Sequence, residues 1–338
     1  KIIEILENLM KFDRYHSSEE MDRAIQYLVK IYKGKIDSYS NNLKTTWELP
    51  RKYKVIHASI SNEDGKLISD YSQSRLFLWS FSYSFKGLIT YEELIKHLIY
   101  DIKRPNDYIF HFRNQYRLWD KKWGISLPYN HFLKLKKNNK YLIDIKTSFK
   151  KGNLNQFFLG AIKPKNNLIL VAHLDHPDQL NDGLSSCIAI NEIFSTLSNS
   201  LKNINLCVLN SVEIVGSVLF AKRYKVNNKN TMGVINVNGA GIDAPFELNF
   251  GSILKDSQID KAITLFAKLH KNLFPKVLGF REGWGNDEIA FQVPGVNVPA
   301  ISIYRWPFKE YHTSSDNFSC FSMNKFIKTK EVIIKLIK

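Results

Sequence analysis

The chain has 338 residues, of which 44% are hydrophobic, and a formal net charge of +16. No run approaches the roughly 18 consecutive apolar residues that a membrane-spanning helix needs, so we expect no membrane partner. The length suits one large α/β domain or two smaller ones. The lysines are scattered rather than gathered in one patch, so the charge does not predict nucleic-acid binding, although it would suit an anionic substrate.

Cysteine usage favours a reducing compartment. The three cysteines (Cys187, Cys207 and Cys320) are odd in number and far apart, and they form no CxxC pair. The first residues contain acids and apolar positions at helical spacing, which is not the pattern of a signal peptide. We therefore expect a cytoplasmic protein.

The N-terminal third of the chain predicts two helices followed by a β-rich module. Residues 1–33 carry helix-period apolar positions, and Ser17 or Ser18 can cap the second helix. Residues 45–140 are rich in aromatics and in short alternating runs such as KYKVIHASI and RLFLWSFSYSF, which predict strands. One helix, from about Tyr91 to Tyr100, interrupts them. We interpret residues 45–140 as an inserted module.

From about Tyr141 onward, strands and helices alternate. The runs NNLILVAHLD, INLCVLN, TMGVINVN and PAISIY predict strands buried on both faces. Helices are predicted at 184–197, in SVEIVGSVLFAKRY, in DSQIDKAITLFAKLHKNL and beyond about Met323. This alternation predicts an α/β fold: three layers, with a mixed, mostly parallel sheet and helices on both faces, formed by residues 1–44 and 141–338.

Residues with metal-binding chemistry collect where these strands end. The first buried strand runs into His173, Asp175, His176 and Asp182, which offer the nitrogen and oxygen ligands that zinc takes. Asp175 could instead orient a ligating histidine. Ligands of such sheets bind beyond the carboxyl ends of the strands, so this cluster predicts a site there.

Two later segments add to the cluster. Glu213 follows the second buried strand and precedes a helix, where it can ligate a metal or act as a general base, or simply stabilise the helix start. His312 follows the last strand, with Asp316 as its expected support. Asp287 and Glu288 lie in a glycine-containing loop between these segments.

The order of these motifs resembles the co-catalytic zinc aminopeptidases, whose fold the glutaminyl cyclases and the transferrin-receptor ectodomain share. The motifs are HxD, ND, ExxGS, GVxxPAxSI and YHTxxD. The chain is still more similar to a bacterial aminopeptidase-like family often found near surface-polysaccharide genes, through HLDHPDQLNDGLSS, VEIVGS and EYHTSSDN. This resemblance spans about residues 12–318.

The resemblance implies a zinc site and roles for single residues. His173 and His312 would be ligands of one zinc, Asp182 a carboxylate that bridges two metals, and Glu213 a ligand or the base. Two departures stand out. Val212 replaces one of two adjacent glutamates, and GVINVNGAG offers Asn236 where an aspartate is expected, with Asp243 as a substitute. The resemblance therefore leaves open whether the site holds one zinc ion or two.

The function expected from this set is hydrolysis of an amide or peptide bond by a metal-bound water, with Glu213 and Asp175 as the catalytic residues. The substrate contacts would come from His176, Asp287, Glu288, Tyr311 and Arg113, with His176 as an alternative metal ligand. Three other functions stay open: an amidase or deacylase acting on a modified sugar, a cyclase, and a binding protein without turnover. The sequence does not determine the oligomeric state, and a homo-oligomer stays open.

Overall fold

The computed structural model describes residues 1–45 and 47–338. The helices in this part of the chain are α1 (Ile2–Met10), α2 (Glu19–Tyr32), α3 (Tyr91–Leu94), α4 (Tyr129–Phe132), α5 (Leu184–Leu197), α6 (Val215–Arg223), α7 (Gln258–Leu269), α8 (Ile289–Gln292) and α9 (Met323–Ile337). The strands are β1 (Lys35–Ser40), β2 (Lys52–Asn62), β3 (Leu67–Asp70), β4 (Phe85–Thr90), β5 (Leu98–Ile99), β6 (Ile125–Ser126), β7 (Lys140–Lys150), β8 (Asn153–Leu159), β9 (Asn167–His173), β10 (Asn205–Ser211), β11 (Thr231–Asn238), β12 (Phe246–Asn249), β13 (Lys276–Leu278) and β14 (Ala300–Arg305).

The larger sheet has eight strands in the order β1-β8-β10-β9-β11-β14-β12-β13. Its centre is parallel: β9 lies between β10 and β11, and β14 continues from β11 in the same direction. Antiparallel pairs occur at β1–β8, β8–β10 and β12–β14. The mixed, mostly parallel sheet that the alternation predicted is therefore confirmed.

Helices cover both faces of this sheet because β9 is apolar on both sides. Leu168 and Leu170 face a core shared with α1, α2, α5, α7 and α9. Ile169 and Val171 face the opposite core, to which α6 and α8 contribute. The three-layer arrangement is the expected one, and a strand buried on both faces explains the continuous apolar run in the sequence.

The first two helices are also confirmed. The predicted cap is Ser18, whose hydroxyl oxygen accepts a hydrogen bond from the backbone N–H of Met21 at 2.9 Å. Ser17 is buried and takes no part in the cap. Capping by Ser18 satisfies an amide that the first turn of the helix leaves unpaired.

A second, four-stranded sheet in the order β3-β2-β7-β4 has its own apolar core. The division of the chain into residues 45–140 and the remainder stays a prediction, but β7 pairs with β2 and β4. The smaller sheet therefore continues to Lys150, past the predicted boundary. The sequence does not mark the point where the smaller sheet ends, because β7 and β8 are consecutive strands of similar composition.

Two local predictions within this module are wrong. The run RLFLWSFSYSF is not a strand: it begins with the short 3-10 turn Arg75–Phe77 and continues as a loop. Its large apolar side chains, such as Phe77 and Phe81, are buried by tertiary contacts rather than by sheet pairing. The helix expected at residues 91–100 stops at Leu94 and passes through a 3-10 turn into β5.

In the part of the chain that the structure describes, no helix combines the length and apolarity that crossing a bilayer requires. The three cysteines are unpaired in the structure.

Candidate metal centre

The central strands bring the predicted residues to one edge of the larger sheet. His173 ends β9 and lies in register with Ser211, the last residue of β10. Glu213 follows two residues later, and Asn238 ends the neighbouring strand β11. Parallel strands end at the same edge, so these side chains converge although they are distant in sequence.

Asp182 lies at the centre of three imidazoles. Its Oδ1 is 3.1 Å from His173 Nε2, and its Oδ2 is 3.1 Å from His176 Nδ1 and 2.9 Å from His312 Nε2. His173, His176 and Asp182 are buried, and His312 is nearly so. The structure therefore brings together His173, Asp182 and His312, the ligands that the resemblance implies, and adds His176.

This donor set fits a metal ion. The ligand atoms of His173, His176 and Asp182 all lie within 4.8 Å of one another. His176 Nε2 and His312 Nε2 are buried, and neither has an aligned hydrogen bond in the described structure. Buried nitrogen atoms without a partner are costly, and a metal ion bound between the imidazoles and the carboxylate would satisfy them.

The electrostatics of the cluster also suit a cation. Burial alone would lower the pKa of His173, but the hydrogen bond to Asp182 and the negative charges of Asp182 and Glu213 together outweigh it and raise the pKa to about 9. The pKa of His176 is raised as well, because Asp182 and Glu213 outweigh its burial. The negative potential that favours protonated imidazoles attracts a metal ion in the same way.

The backbone is strained where it presents these side chains. His176, Ile214 and His312 all have positive φ angles, of 85°, 57° and 56°. This region is unfavourable for side chains other than Gly, and most of all for a β-branched residue such as Ile214. Such conformations gather at functional sites, where the surrounding structure holds them in place.

The segment that carries Asp182 is held by Asp316. The Asp316 carboxylate accepts hydrogen bonds from the backbone N–H groups of Asn181 and Asp182, both at 2.9 Å. Gly183 follows, and its backbone lies close to β9. A Cβ atom there would be 2.5 Å from the carbonyl oxygen of His173. We expected Asp316 to support His312, and this expectation is corrected: Asp316 holds the backbone at Asp182 instead.

The loop after β9 is held by a buried arginine. Arg14 is fully buried, and its guanidinium donates to the carbonyl oxygens of Leu174 at 2.8 Å and Gln179 at 2.9 Å. A third bond goes to the carbonyl oxygen of Leu9 at 3.2 Å. The N-terminal segment thus fixes both ends of the loop that contains Asp175 and His176.

Asp175 is buried behind the site. Its Oδ1 accepts a hydrogen bond from the backbone N–H of Glu213 at 2.9 Å, and its Oδ2 lies 2.8 Å from His16 Nε2. Its separation from His176 Nε2 is 3.9 Å. Asp175 therefore positions Glu213 and contacts His16 rather than orienting a histidine ligand. Nothing in the local sequence pointed to His16, because the contact is long-range.

Glu213 faces the cluster from the other side. Its Oε2 lies 3.4 Å from His176 Nε2 and also accepts a hydrogen bond from the Tyr116 hydroxyl, while Oε1 accepts one from Asn286 Nδ2 at 3.0 Å. Burial would raise the pKa of Glu213, but the charges of His176 and His173 and the contact with His176 together outweigh it and lower the pKa to about 2. The carboxylate is ionised, as a proton acceptor must be.

The smaller sheet's module contributes one wall of the site. Phe110 contacts His176 at 4.7 Å between ring centroids and donates its backbone N–H to the carbonyl oxygen of His312 at 2.9 Å. Tyr116, on the same segment, reaches Glu213. Trp123, also in this module, lies in the module's own core.

Neither Asn236 nor Asp243 stands in for the aspartate that the resemblance implies after this strand. Asn236 donates to Glu288 Oε2 at 2.9 Å, whereas Asn238 donates to Asp182 Oδ1 at 2.9 Å. Asn238 is therefore the residue of this strand that enters the site, as its place at the strand end indicates. Asp243 is 74% exposed and pairs with Lys325, so its assignment as a ligand is wrong.

The five side chains that we expected to contact the substrate lie in different surroundings. His176 belongs to the metal cluster, and Tyr311 stacks on His312 at 3.9 Å and lines a small cavity beside Glu213. Asp287 is buried and accepts hydrogen bonds from Ile214 N–H and the Ser217 hydroxyl. Glu288 is buried as well, and Arg113 is exposed on a 3-10 turn. Asp287, Glu288 and Arg113 do not line that cavity.

The burial of Glu288 predicts a pH dependence of stability. Burial raises the pKa of this carboxyl from the ordinary 4.5 to about 7, so its favourable contribution is complete below pH 4.5 and is lost as the pH rises to 7. We expect Glu288→Gln to gain stability relative to the native protein across that range, by roughly 3 kcal/mol at most. Denaturant unfolding of both proteins at pH 5 and pH 8 measures this, and an unchanged difference would contradict it.

Comparison with known proteins places this site in a known fold. A Clostridium acetobutylicum protein, named for polysaccharide biosynthesis and an aminopeptidase-like domain, is 28% identical over 334 residues, which cover 96% of this chain and 74% of that protein. A crystal structure from Clostridium acetobutylicum, provisionally named a peptidase, has a TM-score of 0.86 at 22% identity, covering 99% of this chain and 79% of that one. A zinc aminopeptidase from Bacillus subtilis has a TM-score of 0.66 at 13% identity, covering 100% and 94%.

These likenesses confirm the fold that the motif order implied, which zinc aminopeptidases and a glutaminyl cyclase share. The protein is thus an aminopeptidase-like α/β protein with a cluster of histidine and carboxylate residues at the carboxyl edge of its sheet. Over residues 3–338 it belongs to the family described as "Domain of unknown function (DUF4910)".

Proposed function

We propose that the protein is a metal-dependent hydrolase of an amide bond. The observation that carries this proposal is the convergence of three imidazoles on Asp182, with the ionised Glu213 carboxylate 3.4 Å from His176. The aminopeptidase-like fold and the name of the clostridial relative support it.

His173, Asp182 and His312 would hold a zinc ion, with His176 as a further ligand. A bound zinc ion lowers the pKa of water to about 7 and polarises the substrate carbonyl. Asn238 and Val212 stand where a second set of carboxylate ligands would be needed, so a single ion is the arrangement that we propose. A carboxamide is a weaker ligand than a carboxylate, and a valine is none.

The protein's own residues perform the proton transfers. Glu213 accepts a proton from the attacking water and returns it to the leaving nitrogen, while Asn286 and Tyr116 hold its two oxygens. Burial, together with Asp182 and Glu213, raises the pKa of Tyr311 far above its ordinary value, so its hydroxyl stays protonated. Tyr311 is therefore a suitable donor to the oxyanion that forms on the carbonyl.

Metal content and amide hydrolysis test the proposal together. We expect about one zinc per chain in protein purified without chelator, and loss of hydrolysis after dialysis against a chelator, with recovery when zinc is restored. His312→Ala should lower the metal content sharply. His270→Ala, directly after helix α7 and outside the cluster, is the matched control and should leave it unchanged.

Protein that takes up no metal from excess zinc and cleaves no amide would contradict the proposal. It would instead indicate a binding protein on the same fold.

A further inference from the structure

We propose that the substrate is an N-acetylated amino sugar, whose acetyl group occupies the cavity beside Glu213; this inference rests on the proposed amide hydrolysis. The alternative for an aminopeptidase-like site is an amino acid residue with a free ammonium group. The two differ in charge at the position next to the scissile carbonyl, and the cavity distinguishes between them.

The cavity is small. Its volume is about 50 Å³, which suits a group of a few heavy atoms. Trp284, Trp306, Phe308 and Tyr311 form its apolar wall, with Trp284 4.6 Å from Trp306 and 5.2 Å from Tyr311 between ring centroids. An acetyl methyl group matches both the size and the apolar character of this wall.

The polar side of the cavity offers no negative charge besides Glu213. Asn236, Asn238, Asn286, Ser302, Tyr304 and Arg305 line it, and Glu213 is the one carboxylate among the described lining residues. Carboxamides and hydroxyls donate and accept hydrogen bonds, so they suit an amide and sugar hydroxyls. They offer no compensating charge to a buried ammonium group, which would be costly without one.

The neighbouring carboxylates are not available to an ammonium group. Glu213 already accepts hydrogen bonds on both oxygens, from Tyr116 and Asn286. Asp287 accepts from Ile214 N–H and from Ser217, and Glu288 accepts from Asn236 and from the backbone N–H of Asn286. Asp182 faces the three imidazoles. Among the described residues, the site thus offers a substrate ammonium group no carboxylate that is free of other hydrogen bonds.

The amine part of the substrate must lie outside this cavity. Trp284 is 47% exposed, so it forms the mouth and presents part of its ring to solvent. Aromatic faces are apolar surfaces on which the C–H groups of a sugar ring can pack. The clostridial relative is named for polysaccharide biosynthesis, which agrees with a sugar in this place.

The reaction would be a deacetylation. The water oxygen forms a bond to the acetyl carbonyl carbon, and its proton passes to Glu213. The C–N bond then breaks, Glu213 returns the proton to the departing nitrogen, and the products are acetate and the free amino sugar. Water is the one co-reactant, and no oxidant or reductant is needed.

A matched pair of chromogenic amides tests the charge preference. p-Nitroacetanilide and glycine p-nitroanilide share a leaving group and differ by the ammonium group on the acyl part. We expect kcat/KM of the zinc-loaded protein to be at least about tenfold higher for p-nitroacetanilide. A preference for the glycine substrate would overturn the inference and leave amide hydrolysis in place.

A binding measurement separates this inference from turnover. Titration calorimetry of the Glu213→Gln protein with N-acetylglucosamine and with glucosamine compares the same sugar with and without the acetyl group. Preferential binding of N-acetylglucosamine supports the inference even if neither anilide is cleaved. Equal binding, or binding of glucosamine alone, overturns it. Failure of the proposed function would show differently, as absence of metal uptake and of all amide cleavage.

The cavity wall can be altered to test the acyl position. Phe308→Ala enlarges the cavity and should raise kcat/KM for p-nitrobutyranilide relative to p-nitroacetanilide by roughly tenfold. Phe132→Ala, in the smaller sheet's module and away from the cavity, should leave this ratio unchanged. If Phe308→Ala fails to fold, Trp284→Ala at the exposed mouth serves instead and should weaken N-acetylglucosamine binding. An unchanged selectivity in a folded Phe308→Ala protein, or unchanged N-acetylglucosamine binding by the Trp284→Ala protein, would place the acyl group elsewhere.

Discussion

The Glu213→Gln protein should keep its metal and lose roughly a thousandfold or more of its kcat. Glutamine retains the shape of the side chain and an acceptor for the Tyr116 hydroxyl, but it cannot take a proton from water. General base catalysis contributes about 10²–10⁴-fold, and this ionised group is the one carboxylate in the described cavity lining. Steady-state kinetics and metal analysis on the same preparation measure both quantities.

A buried glutamate outside the site supplies the control. Glu247 on β12 is 3% exposed and pairs with Lys276, so Glu247→Gln tests the effect of removing a buried carboxylate on folding alone. It should leave kcat unchanged. If Glu213→Gln retains turnover, Glu213 is not the base. If it loses metal together with activity, Glu213 is a ligand instead.

The strand-exit residues were predictable because the rule behind them is local. A buried run such as NNLILVAHLD ends in polar residues, and parallel strands bring such ends together. His173, Asp182, Glu213 and His312 are brought to one place on this basis, although their individual roles stay proposals. The same rule applied at the end of β11 selects Asn238. We expected Asn236, two residues earlier, because the end of the strand was not located closely enough.

The residues that hold the site in place were not predictable, because their contacts are distant in sequence. Arg14 and His16 lie in the loop between the first two helices and meet the carboxyl edge of the larger sheet only in the folded chain. Tyr116 comes from a module of different character and reaches Glu213 across the cleft. A single sequence gives no sign of such pairs, since neither spacing nor periodicity relates their positions.

Two buried aspartates hold the backbone beside the carboxylates to which we assign the chemistry. Asp175 and Asp316 do not face the cavity, yet each accepts backbone amides next to a functional carboxylate, Glu213 in one case and Asp182 in the other. Backbone bonds of this kind fix the carboxylates without competing for the metal or the substrate. The strained φ angles of His176 and His312 are then sustained by a rigid surrounding.

The Arg14→Met protein should be destabilised by about 4 kcal/mol. Arg14 is fully buried and donates to the carbonyl oxygens of Leu9, Leu174 and Gln179, so methionine leaves three acceptors without their partner. Burial lowers the pKa of Arg14 to about 10, so the guanidinium is still charged at neutral pH, and the nearby Asp175 and Asp178 lose its charge as well. Guanidinium unfolding followed by circular dichroism measures the loss.

The exposed Arg23, whose side chain is 65% accessible on α2, is the matched control, and Arg23→Met should change the free energy of unfolding by less than about 0.5 kcal/mol. Because Arg14 fixes both ends of the loop that carries His176, the folded fraction of Arg14→Met should also bind metal more weakly. A stable protein with native metal affinity would show that the loop holds its shape without the arginine. The strained conformation of His176 would then have to be maintained by Asp182 and Phe110, its contacts within the site.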